Sequence, residues 1–163
     1  NIMVLPIYTY GQPVLRKEAE DIAPDYPELK NFIEDMYATM YETDGVGLAA
    51  PQVGVLRRLA LVMVEDESFL EVINPEIISE EGEQDGPEGC LSVPDLYGMV
   101  KRPMKVTVRF QDRNGNWVER TAEGFTARAF CHEIDHLDGH LYVEKVEGEL
   151  HDVTYEDEEL EEE

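Results

Sequence analysis

The chain has 163 residues, 37 of them Asp or Glu against 13 Lys or Arg, for a formal net charge of −24. That length supports one domain with its own core, and that charge excludes binding to nucleic acid or an anionic membrane through a basic patch. No apolar run reaches membrane-spanning length and no secretory leader is expected; the two cysteines, Cys90 and Cys131, form no disulfide framework and fit a reducing cytoplasm.

Val4 to Pro13 is broken by Pro and Gly and reads as an irregular edge. Pro27 to Thr43 predicts a helix with Leu29, Phe32, Ile33, Met36 and Met40 as its apolar stripe, started by Asp25 or Pro27 and stopped by Asp44-Gly45. The run from Gly45 to Gly54 gathers small residues around one polar side chain, Gln52, whose amide could donate to an oxyanion. Leu59–Val64 and Phe69–Ser79 predict strands, the second interrupted at Asn74-Pro75. Pro87 to Pro94, with Cys90 inside it, reads as a fixed, irregular loop. Lys105–Phe110 alternates cleanly, Asn114-Gly115 predicts a tight turn, and Trp117–Ala122 the returning strand. The order of elements indicates an α+β domain with mostly antiparallel sheets around a central metal-binding helix. Its catalytic part spans residues 1–143, and 144–163 reads as an acidic, partly disordered C-terminal tail.

The central helix carries His132-Glu133-Ile134-Asp135-His136. Residues four apart share a helix face, so His132 and His136 can hold one metal ion, and Glu133 stands where a carboxylate can take a proton from water on that ion. Phe130, Ile134 and Leu137 form the adjoining core-facing stripe, Thr126 is placed to cap the start, and Gly139 to end the helix in a left-handed turn. Catalytic sites of this kind use three protein ligands. Cys90, His140 and His151 are candidates for the third. His140 falls two residues short of the metzincin spacing, and His151 lies in the acidic run. A thiolate at Cys90 can close a Cys-His-His site, although a buried free cysteine is an ordinary core residue. Two other classes use similar residues: a zinc endopeptidase, which would tolerate Cys90→Ser, and a closed, metal-stabilised interaction module.

The motifs G-V-G-L-A-A-P-Q (45–52), E-G-C-L-S (88–92) and H-E-I-D-H (132–136), in this order, resemble the three signatures of the peptide deformylases. The resemblance extends over roughly residues 4 to 143. It implies a metallohydrolase that removes the formyl group from the N-terminal formyl-methionine of nascent polypeptides and releases formate. It implies Cys90, His132 and His136 as metal ligands, with Fe2+ as the usual ion and Zn2+, Ni2+ or Co2+ able to replace it. On the same resemblance, water activated by the metal is expected to attack the formyl carbon, with Glu133 as general base and then acid, and the Gln52 amide and the Leu91 N–H to meet the oxyanion. Val46, Leu91, Ala129 and His132 are expected to wall the methionine pocket, Tyr97 to reach its mouth, and Gly47 and Gly89 to pair with the peptide backbone. Glu88 and Arg102 are expected either to support the Cys90 segment as an ion pair or to form an ordinary surface pair. Cys131 reads as packing. Many members carry a basic C-terminal helix that meets ribosomal RNA; this chain is acidic there, which leaves at most a transient ribosome contact. The chain is expected to act as a cytoplasmic monomer.

Overall fold

The computed structural model describes residues 2–153. The helix α1 spans Leu29–Glu42. It starts two residues later than its periodicity suggests, because Glu28 takes a left-handed backbone (φ 59°) and supplies no side-chain cap. Neither Asp25 nor Pro27 is that cap. Asp44, also left-handed at φ 54°, ends the segment and turns the chain into the glycine-rich run.

That run is a short strand, β1 (Gly47–Ala49), followed by a 3-10 turn at Ala50–Val53. β1 opens a five-stranded antiparallel sheet with β2 (Leu59–Met63), β3 (Phe69–Glu81), β6 (Lys105–Gln111) and β7 (Trp117–Glu123), in the order β1-β2-β3-β6-β7. The expected break at Asn74-Pro75 is a register shift between Ile73 and Glu76 inside one continuous β3. Asn74 sits at φ 51° and uses its amide to bind both backbone groups of Ile22, at 2.8 and 2.9 Å. The turn at Asn114-Gly115 joins β6 to β7, and Asp112 accepts backbone N–H bonds from Asn114 and Asn116.

The segment read as an irregular loop is instead a hairpin. β4 (Gln84–Cys90) and β5 (Val93–Arg102) pair antiparallel, and β8 (Val146–Asp152) adds to β5 to complete a second sheet, in the order β4-β5-β8. β4 contains Gly86, Pro87 and Gly89, which disfavour strands individually, so its pairing overrides its local propensity. Within the stretch read as a tail, residues 146–152 thus belong to a sheet, while 154–163 lie outside the described residues.

The second helix, α2 (Gly124–Leu137), packs against β1, β2, β5, β6 and β7. Thr126 lies inside its first turn and does not cap it; the N-cap position is Glu123, with no side-chain bond. Phe130 and Leu137 are wholly buried and Ile134 nearly so: Phe130 and Ile134 fill the core with Val62, Val72, Val108 and Phe110 of the larger sheet, and Leu137 packs with Ala19, Ala49 and Ala60. Each such buried side chain contributes roughly 1.5–3 kcal/mol. The expectation of mostly antiparallel sheets around a central helix holds.

Gly139 follows α2 at φ 82°, and a Cβ there would sit 2.8 Å from the Arg16 carbonyl oxygen. Gly139→Ala therefore combines a left-handed backbone with a backbone clash. It should lower the unfolding free energy by about 2 kcal/mol or more, measured by urea denaturation. A loss under about 0.5 kcal/mol would contradict the close approach.

Candidate metal centre and cleft

Three segments bring their polar side chains to one point. α2 presents His132 and His136 one turn apart; the end of β4 presents Cys90; the 3-10 turn after β1 presents Gln52. One donor atom from each of Cys90, His132 and His136 lies within 4.8 Å of the other two. Cys90 Sγ is 3.2 Å from His136 Nε2. These donors fit a divalent transition metal: a soft sulfur and two imidazoles suit Fe2+, Zn2+, Ni2+ or Co2+.

The orientation of His132 is set from behind. Its Nδ1 lies 2.8 Å from Glu88 Oε1, which leaves Nε2 for a ligand. Glu88 also accepts two bonds from Arg102 at 2.8 Å, through Nε and Nη2, and one from Arg128 Nη1 at 2.6 Å. The Glu88–Arg102 pair is buried on both sides, which decides against a surface pair. Burial opposes ionisation of Glu88, but hydrogen bonds from Arg102 and His132 hold its carboxyl well below the usual carboxylate range. Arg102 continues to Asp135 at 2.6 Å, and Lys145 reaches the same carboxylate at 2.9 Å. Tyr142, wholly buried, faces the His132 ring at 6.1 Å and 27°.

Glu133 is placed differently. It is buried and its Oε1 has no partner, while a Cβ on Gly47 would lie 2.6 Å from its Oε2. Only glycine at 47 leaves room for this carboxylate. Burial, with a smaller contribution from Glu88 and against the pull of His132 and Arg102, pushes its pKa up to about 7. Gln52 is clamped: its Oε1 accepts from Ala49 N at 2.9 Å, and its Nε2 donates to Ser92 Oγ at 3.1 Å and to Cys90 Sγ at 3.4 Å. The N-terminal segment holds both loops, with Tyr8 N donating to Gln52 O and Tyr10 N to Ser92 O, each at 2.7 Å.

These groups face a cleft of about 730 Å³ between the two sheets. Val46, Gly47, Gln52, Gly89, Cys90, Leu91, Ala129, His132 and Glu133 all line it, and His136 is buried behind Cys90. Tyr97 does not line it. The Tyr97 ring stacks on His151 at 5.1 Å across β5 and β8, and Leu96 faces the cleft in its place. Once β5 is a strand, neighbouring side chains take opposite faces, so the residue beside Tyr97 is the one turned inward. His140 pairs with Glu144 and takes no part in the cleft. Sequence reasoning missed Arg128, Phe125 and Ser92. Arg128 stands one turn before His132 on α2, and a cation at i−4 to a metal-ligand candidate was its available signal.

A family profile described as Polypeptide deformylase matches residues 4–151. A peptide deformylase of Agathobacter rectalis is 55% identical over 147 residues, covering 90% of this chain and 92% of its own. The crystal structure of peptide deformylase from Thermotoga maritima superposes with a TM-score of 0.85 at 41% identity, covering 89% of this chain and 99% of that one. The Met-Ala-Ser-bound class I type b peptide deformylase from Acinetobacter baumannii gives a TM-score of 0.83 at 36% identity, covering 88% of this chain and 98% of that one.

If Glu88 orients a metal ligand, Glu88→Gln should weaken metal binding by roughly 10- to 100-fold. Competition with a chromophoric chelator reads this directly, and an unchanged affinity would remove Glu88 from the support of the site.

Proposed function

The chain belongs to the polypeptide deformylase family, and from that premise we propose how its own residues perform the reaction. As a peptide deformylase it is a metalloenzyme that hydrolyses the N-formyl group of formyl-methionyl nascent peptides. Water adds to the formyl carbon, the C–N bond breaks, and formate and a free methionine amine leave.

Cys90, His132 and His136 hold the metal, a reading supported by their converging donor atoms. When bound, the cation supplies Lewis acidity that makes water a nucleophile near neutral pH. Glu133 accepts the proton from the attacking water and later hands it to the departing nitrogen. The observation that carries this reading is its buried carboxylate oxygen without a partner, lining the cleft beside the two histidines. Gln52 Nε2 and the Leu91 N–H donate to the formyl oxygen as negative charge grows on it. Gln52 gives up its 3.4 Å contact with sulfur for this and keeps its bond to Ser92. The clamp on Gln52 Oε1 fixes which end of the amide faces the substrate.

The methionine side chain lies against Leu91, Ala129 and the carbon skeleton of His132, with Val46 and Phe125 at the rim. Gly47 and Gly89 leave backbone open to an extended peptide. The Acinetobacter relative was solved with Met-Ala-Ser, the peptide that deformylation of formyl-Met-Ala-Ser would leave. We assign ferrous iron as the working ion, as membership of the family implies and the donor set permits, and a cytoplasmic monomer in transient contact with the ribosome. The two free cysteines accord with that compartment, and no helix among the described residues is long and apolar enough to cross a membrane.

The test is formate release from formyl-Met-Ala-Ser by ferrous protein prepared without oxygen. Glu133→Gln should cut turnover by about 10²- to 10⁴-fold with metal still bound. Cleavage of internal peptide bonds without formate would overturn the assignment. Gln52→Leu should lower turnover by roughly two to three orders of magnitude, and a fall of less than about tenfold would reject its oxyanion role.

A further inference from the structure

The smaller sheet is interrupted where it meets the metal centre. Glu88 faces Gly98 and Cys90 faces Val93, so Pro94 to Tyr97 of β5 stand against Gly89 alone on β4. Asp95, inside this bulge, takes a left-handed backbone at φ 66°. The tip beyond it carries Cys90 and the Leu91 N–H, and Gly89 at its base offers backbone to the peptide. The far end of the tip is held: Ser92 O accepts from Tyr10 N at 2.7 Å, and Ser92 Oγ accepts from Gln52 Nε2 at 3.1 Å. Its base needs a separate brace, because the regular ladder of the hairpin stops at Glu88.

That brace comes from Tyr142, to which the reaction described above gives no part. Tyr142 opens the 3-10 turn Tyr142–Lys145 beyond α2 and is only 1% exposed. Its hydroxyl donates to the Leu96 carbonyl at 3.2 Å. The same carbonyl packs closely on Gly89, where a Cβ would sit 3.3 Å from it. The ring faces His132 and forms a cluster with Val93 and Val100, against which Cys90 and Leu96 pack. Phenylalanine would fill this space equally well. What the hydroxyl adds is the bond to Leu96, and with it a fixed carbonyl over Gly89.

We propose, on the deformylase reading above, that Tyr142 is a positioning residue whose hydroxyl, acting through the Leu96 carbonyl, holds the Gly89 backbone in register with the substrate peptide. Without that bond the carbonyl loses its donor, the bulge relaxes, and Gly89 is no longer presented in one place. Gly89 pairs with the peptide in the bound substrate and in the transition state alike, so the loss falls on KM rather than on kcat. The metal ligands keep their own supports. Glu88 still fixes His132, and the ring of residue 142 still packs behind Cys90.

Tyr142→Phe removes one oxygen and leaves the ring. KM for formyl-Met-Ala-Ser should rise about three- to tenfold, the scale of one hydrogen bond, with kcat and chelator-measured metal affinity each within about twofold of the unaltered protein. Deuterium uptake at residues 89–91, followed by mass spectrometry, should quicken more than at the amides of β2 and β3, which report global stability. Replacing Tyr142 by 4-aminophenylalanine returns an N–H donor to Leu96 and should bring KM back toward its original value. A KM change under about threefold, a loss carried by kcat or metal affinity instead, or lower urea stability with KM unmoved gives Tyr142 an ordinary core role and overturns the inference. No recovery with the amino analogue overturns it as well. Absence of formate from the unaltered ferrous protein would strike the deformylase reading itself, whereas normal turnover that is indifferent to Tyr142→Phe would strike only the role of the hydroxyl.

Discussion

The site depends on one buried carboxylate, Glu88, and on the fact that it is never left alone. Arg102 comes from β5, Arg128 and His132 from α2, and Glu88 itself from β4, so a single ion ties the smaller sheet to the central helix. Burying such a group without partners costs several kcal/mol. With four donors at 2.6 to 2.8 Å the cost is offset, and losing either arginine would leave the buried carboxylate short of a donor. The arrangement also has direction. Two guanidinium groups keep Glu88 ionised, an ionised carboxylate accepts from His132 Nδ1, and that fixes His132 Nε2 toward Cys90 and His136. The network runs on through Arg102 to Asp135, which stands on α2 between the two histidines, so His132 and Asp135 are tied through Glu88 on β4 and Arg102 on β5 to the smaller sheet.

Small residues make the second contribution by letting backbone approach side chains. Gly47 admits the Glu133 carboxylate, and Gly86 admits the Arg128 guanidinium, where a Cβ would fall 2.9 Å from Nη2. Gly45 does the same for Leu91, with 2.8 Å to Cδ1. The glycine-rich run, through Gly45 and Gly47, is therefore less a flexible connection than a mould around two side chains contributed from elsewhere. Gln52 at its end is held by both its oxygen and its nitrogen, which makes it a preorganised donor rather than a mobile one.

Much of this was legible from sequence, for reasons that are physical and local. The H-E-x-x-H turn places its residues through the helix repeat alone, and the apolar stripe of α2 independently fixes which way that helix faces. The strand β2 announces itself as a short continuous apolar run, and β6 and β7 by alternation in the first and by the turn between them. The smaller sheet does not. β4 is built from Gly, Pro and Glu and is a strand only because β5 pairs with it, and β8 lies in a run whose acidity reads as solvated tail. Tyr97, expected from the resemblance at the mouth of the pocket, turns away to His151 while Leu96 faces the cleft. Arg128 escaped notice because its value depends on Glu88, 40 residues away in sequence, and on a glycine across from it. Pairings at that separation carry no local signal.

Glu88 and Glu133 show how one site gives two carboxylates different work. Both are buried within the same cleft wall, and both sit next to His132. Glu88 has its oxygens saturated by cationic donors and is held well below the usual carboxylate range despite its burial. Glu133 has an oxygen with no partner, and burial drives it the other way, up to about 7. A saturated carboxylate can only hold a neighbour in place, because giving up or taking a proton would strand its partners. A carboxylate with an open oxygen can exchange a proton with whatever enters the cleft, since nothing in the fold depends on which state it occupies. The separation of the two roles follows from donor supply. The arginines are spent on residue 88, Gly47 closes around residue 133 without offering it a side-chain donor, and residue 133, with its unpartnered oxygen, is left lining the cleft where the substrate must lie.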